Sequence, residues 1–82
     1  MDRPKYMQDN INEIKVGIYA SVKAAREIMP ATNGQVIASL EKQVADKRAY
    51  INGLRPSEVS QQEKRLNEII ALQEVIAEIK AN

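Results

Sequence analysis

Apolar residues recur at alternating steps of three and four along three stretches of this chain, and two breaks rich in Pro and Gly separate the stretches. The first series is Met7, Ile11, Ile14, Ile18, Ser21, Ala25 and Ile28. The second is Ile37, Leu40, Val44, Lys47, Ile51 and Leu54, and the third is Val59, Gln62, Leu66, Ile69, Gln73, Ile76 and Lys80. A helix turns once in about 3.6 residues, so this spacing gathers each series on one face. No stretch alternates with period two, as a half-buried strand would. The expected fold class is all-α.

The breaks give the boundaries. In Met29-Pro30-Ala31-Thr32-Asn33-Gly34, Pro30 drives Met29 out of helical torsions, and Thr32 with Gln35 makes a capping-box pair. In Asn52-Gly53-Leu54-Arg55-Pro56-Ser57, Gly53 suits a left-handed cap, and Ser57 or Ser60 offers a new N-cap. Ser60 to Glu63 and Asn10 to Glu13 also match the capping box. These signals predict three long antiparallel amphipathic helices at about 9–29, 33–52 and 58–80, with 1–8 as a flexible N-terminal segment of a single domain spanning 1–82. Two arrangements satisfy the pattern: an up-down-up three-helix bundle, or a coiled-coil-like hairpin of the second and third helices with the first packed across it.

At 82 residues the chain buries only roughly 60–65% of the surface its unfolded form exposes. Chains of this size gain stability from disulfides, a metal, regular helix packing or a second copy. The sequence holds no Cys and no His, which removes disulfides and the usual zinc ligands and leaves no imidazole to activate a nucleophile. The three glycines, at 17, 34 and 53, form no phosphate loop. Glu74 and Glu78, one turn apart, read as a solvated face before they read as a cation site. No enzyme activity, cofactor or metal is expected.

A net charge of +1 provides no field that would recruit nucleic acid or an anionic membrane. No apolar run approaches the roughly 20 residues that span a bilayer. Met1-Asp2-Arg3-Pro4-Lys5 leads into Gln8, Asp9 and Asn10, unlike a signal peptide, so the default expectation is a cytoplasmic protein. Charge is unevenly placed, however. Residues 57–82 carry five Glu against Lys64, Arg65 and Lys80, whereas residues 1–56 carry nine basic against six acidic side chains. Solvated helix faces are the plain reading of this imbalance, and orientation of one chain against another is the alternative.

Polar residues interrupt the apolar series. Ser21 and Gln73 fall at similar heights of an up-down-up bundle, where they could share a hydrogen-bonded layer that fixes register. Lys47 is expected to lay its stem over apolar neighbours and to send its ammonium toward water or a carboxylate such as Glu13 or Glu63. Gly17, Ser21 and Ala24 form a flank of small residues on the first helix that would let another helix backbone approach closely; close intramolecular packing is the expected reason, ahead of a functional groove. Ala38, Ala45 and Ala49 form a comparable flank on the second.

The third helix is the most distinctive. Leu66, Ile69, Ile70, Leu72, Val75, Ile76 and Ile79 sweep an arc of roughly 220°, about twice the usual stripe. Leu72, Val75 and Ile79 make a second stripe beside the main seam, which either the first helix or another chain must cover. The leading functional expectation is therefore a non-catalytic protein–protein interaction module, an adaptor, assembly factor or stoichiometric inhibitor. It would self-associate as a homo-oligomer or dock another protein through a helix face anchored on Leu72, Val75 and Ile79. Two alternatives follow. One is a nucleic-acid-associated accessory protein using the basic N-terminus with Lys42, Lys47, Arg48 and Arg55, which is disfavoured because those four do not share a helix face. The other is a structural subunit of a helical assembly.

Overall fold

The computed structural model describes residues 3–81 and contains α1 (Lys5–Ile28), α2 (Asn33–Asn52) and α3 (Val59–Ala81). The all-α three-helix expectation is met, and α2 begins and ends where its signals placed it. Thr32 closes the expected capping box: its hydroxyl accepts from the Gln35 amide at 3.2 Å, and the Gln35 side chain accepts from the Thr32 amide at 3.0 Å. Met29 is extended, as Pro30 requires, and its amide donates to the Ala25 carbonyl as α1 ends.

Three other signals resolve differently. α1 starts at Lys5, four residues earlier than expected, because Pro4 supplies a preset φ of −56° and a carbonyl that accepts from Met7 and Gln8, both at 3.1 Å. Asn10 is thus inside α1 and accepts from the Asn67 side chain instead of capping. Gly53 is not left-handed, with φ −88° and ψ −7°; its amide reaches the Ala49 and Tyr50 carbonyls, so α2 tightens into its last turn without a reversal. Neither Ser57 nor Ser60 starts α3. Pro56 sits in a turn in which the Glu58 amide donates to the Arg55 carbonyl at 3.0 Å and the Glu58 carboxylate accepts from the Arg55 amide at 3.3 Å. That turn fixes Glu58 as the residue whose carbonyl accepts the Gln62 amide, and it carries Ser60 into the first helical turn.

α3 is the central element. It packs against α2 on one flank and α1 on the other, while α1 and α2 barely touch each other. The buried cluster joins Val36, Leu40 and Val44 of α2 to Ile69, Leu72, Val75, Ile76 and Ile79 of α3, with Ile18 and Val22 of α1 against its edge. Two neighbours on different flanks account for the wide apolar arc of α3, since one partner covers only about a 100° stripe. The periodic series does not hold throughout: Ile28, Val59 and Leu66 are 86, 55 and 47% exposed, and Ser21 and Gln73 are exposed as well.

Ion pairs settle where the acidic third helix directs its charge. Glu74 meets Arg3 at 2.8 Å and Lys15 at 3.4 Å, Glu78 also meets Lys15, and Glu68 meets Lys47 at 3.0 Å and Arg65 at 2.6 Å. The Arg65 guanidinium also lies 5.1 Å from the centre of the Tyr50 ring, tying α3 to α2 a second way. Much of the imbalance between the two parts of the sequence is thereby matched within the chain. Glu74 and Glu78 accordingly act as partners of Lys15 on α1 and, for Glu74, of Arg3 just before it, not as a bare acidic face.

Candidate functional site

Because α1 and α2 each pack on α3 but scarcely on each other, a trough stays open between them. One wall is α1, with Ile14, Ile18, Val22 and Ala25 and the small Gly17 and Ser21 among them, continued by Met29 just past its end. Val36 and Leu40 of α2 form the other wall together with Gln35, Ser39 and Gln43, and Ala31 of the connection closes one end. The volume of the open trough is about 700 Å³, within the range of roughly 300–1,000 Å³ typical of ligand clefts.

The register of the helices explains why the trough is not filled. α1 and α3 run parallel, with Asn10 beside Asn67 and with Lys15 and Tyr19 beside Glu78. α3 ends at Ala81, three residues past Glu78, whereas α1 continues nine residues past Tyr19. At 1.5 Å per residue, α1 overhangs α3 by roughly 9 Å. The last turns of α1 have no third helix beneath them, which leaves Ile28 and Met29 86 and 72% exposed. Apolar walls thus continue beyond the core that would have covered them.

The small flank on α1 takes no part in close packing. A methyl group added at Gly17 would meet nothing within 4 Å, and Ser21 and Ala24 are exposed. The expected tight helix approach through Gly17, Ser21 and Ala24 is therefore absent, because α2 diverges from that side of α1. Ala38, Ala45 and Ala49 are likewise exposed.

The candidate partner anchors are elsewhere. Leu72, Val75 and Ile79 are 2, 0 and 8% exposed, all within the intramolecular cluster. They do not form a free stripe, because α1 and α2 together cover the flanks of α3. Ser21 and Gln73 do not share a layer either: Ser21 lines the trough between α1 and α2, while Gln73 is exposed beside Glu41, Val44 and Arg48 on another side of the molecule. Lys47 behaves as its length suggests, with a half-covered stem and an ammonium on a carboxylate. Its partner is Glu68, not Glu13 or Glu63, since Glu68 is the acid α3 presents at that height. Lys47 and Arg3, both considered for nucleic-acid contact, are held by Glu68 and Glu74.

Outside the trough lining, the polar contacts between α1 and α3 centre on Glu78. Its carboxylate accepts from the Lys15 ammonium and from the Tyr19 hydroxyl, and these hydrogen bonds hold its pKa below the ordinary range. The same bond to Glu78 raises Lys15, and it raises Tyr19, whose hydroxyl proton is retained to serve the carboxylate. Partial burial pushes the Glu68 carboxyl up, but the hydrogen bonds from Lys47 and Arg65 overcome that and leave it lowered. Among the described residues Arg26 is the single charged group lining the trough, and it already donates to the Asn33 side chain at 2.6 Å. Such a lining can bury apolar surface and hydrogen-bond at its rim; it holds no acid–base pair.

Sequence reasoning missed the trough because it depends on the divergence of α1 from α2. The signal that points toward it is the small-residue flank at Gly17 and Ser21, for which a groove is the second reading after internal packing. Comparison with protein-family models, curated proteins and solved structures finds no match for the chain.

Proposed function

We propose that this chain is a non-catalytic protein–protein interaction module that takes an apolar helix of a partner into the trough between α1 and α2. The observation that carries this reading is the open apolar trough of about 700 Å³, whose α1 wall runs past the end of α3. A helix inserted there would gain contacts with Ile14, Ile18, Val22, Val36 and Leu40, and Gly17 and Ser21 would let its backbone approach closely. Amphipathic-helix recognition needs a groove of this kind and no chemistry, which suits an adaptor, an assembly factor or a stoichiometric inhibitor. Docking through Leu72, Val75 and Ile79 would first require the bundle to open, so the trough is the better surface in the closed form.

The test is association of the native chain and of Ser21→Glu/Ser39→Glu, by light scattering coupled to size exclusion and by affinity capture. Ala38→Glu, on the exposed flank of α2 and outside the trough lining, serves as control. All three substituted positions are exposed, so helicity by circular dichroism is expected to persist. Association that survives Ala38→Glu but not the trough variant supports the reading. Association unchanged by the trough variant overturns it.

A further inference from the structure

The helices are unequally anchored. α3 buries six side chains and α2 three, whereas α1, the longest at 24 residues, buries Ile11 alone. Ile11 stands outside the buried cluster that joins α2 to α3. What joins α1 to α3 is in good part polar: Arg3 to Glu74, Lys15 to Glu74 and Glu78, Tyr19 to Glu78, and Asn67 to Asn10. Partly exposed pairs of this kind contribute little each, so the apolar contact area decides how firmly a helix is held. α1 also carries Gly17 in its middle with nothing packed on it. Such a glycine weakens a helix without helping it to pack.

From this we infer that α1 is a latch. It leaves α3 and unravels as a unit while the α2–α3 hairpin stays folded, and its release uncovers Ala71, which is fully buried in the closed bundle on the same face of α3 as Asn67, Glu74 and Glu78, the residues that meet α1. Segments with few buried apolar contacts are the ones that open below the global unfolding free energy. The inference stands independently of the trough reading, since it concerns what holds α1 and not what binds beside it. The two are linked in one respect: an open latch removes the α1 wall of the trough and exposes the α3 flank that α1 otherwise covers. The α3 surface is then a conditional one, presented only when α1 is released.

The chain lacks cysteine, so a single introduced thiol reports each region separately. Ala71→Cys lies on the face of α3 whose Asn67, Glu74 and Glu78 meet α1, Val44→Cys lies in the α2–α3 core, and Ala77→Cys on the exposed side of α3 gives the unprotected rate. Thiol labelling under native conditions is expected to be at least tenfold faster at Ala71→Cys than at Val44→Cys, after each is referred to the exposed control. Adding Gly17→Ala should slow labelling at position 71 by about fourfold and leave position 44 unaffected. Adding Lys15→Gln should speed it at 71 only. Equal protection at positions 71 and 44, moving together in both variants, would mean that α1 leaves only on global unfolding and would overturn the inference. Amide hydrogen exchange on the unsubstituted chain checks the same point without a core substitution: exchange of α1 ahead of α2 and α3 supports the latch, and one common rate sinks it.

Discussion

Leu72→Ala tests the central claim of the fold, that α3 is covered on both flanks by its own chain. The side chain is 2% exposed, belongs to the buried cluster that includes Leu40 and Val44 of α2, and lines a cleft together with Ile14 and Ile18 of α1. Truncating a buried leucine costs about 2–5 kcal/mol, combining lost transfer energy with the cavity left behind. A chain of 82 residues has a total stability on the order of 4–12 kcal/mol, at about 0.05–0.15 kcal/mol per residue. A loss of about 3 kcal/mol is therefore a large share, and at about 4–8 °C per kcal/mol it lowers Tm by roughly 12–24 °C. Urea unfolding followed by helical circular dichroism should show a reduced midpoint with an unchanged slope. Leu66→Ala, at a position 47% exposed, should cost under about 1 kcal/mol in the same assay. Leu72→Glu/Ile79→Glu, which forces two carboxylates into the cluster, should leave the chain unfolded. A folded, stable Leu72→Ala or Leu72→Glu/Ile79→Glu chain whose only change is a lower oligomeric mass would refute the burial of α3 and restore those residues to an interface.

Stability should fall on acidification, and the sign follows from the lowered carboxyls. Glu68 and Glu78 are held below their ordinary value of 4.5, so their contribution is complete above that pH and is lost as pH drops through the lower native values. Unfolding monitored from pH 6 downward should show this loss, and Glu78→Gln should shrink it. At the other extreme, Lys15 and Tyr19 lie above 10.5 and 10.0 because of their hydrogen bonds to Glu78. Their contribution is complete below pH 10 and disappears as pH rises through the raised native values, which an alkaline titration of tyrosine absorbance against helicity would detect as a delayed Tyr19 step. Thr32→Ala removes the capping box and should cost about 1 kcal/mol in thermal unfolding; an unchanged Tm would show that the connection holds α2 without it.

Local signals in the sequence determined the helices: their number, the Thr32 cap, the stop imposed by Pro30 and the long stem of Lys47 follow from torsional limits and from groups a few residues apart. The start of α1 was misplaced because two N-terminal signals competed, and Pro4, with no amide proton to lose, won over Asn10. Gly53 suits a left-handed cap because glycine tolerates one; that tolerance does not require it, and the backbone at Gly53 stays right-handed as the chain turns through Pro56. The arrangement of the helices was beyond local pattern. An apolar arc of roughly 220° states that α3 has more than one neighbour, yet Leu72, Val75 and Ile79 contact their own chain or another with the same periodicity. The tertiary structure decided for their own chain, by placing α1 parallel to α3 through Lys15, Tyr19 and Glu78. The same register carries α1 past Ala81 and keeps it from α2, so the trough and the weak hold on α1 both arise from how far one helix slides along another. Helix faces repeat every turn, and a slide by whole turns preserves the pattern that sequence reveals while changing which residues meet.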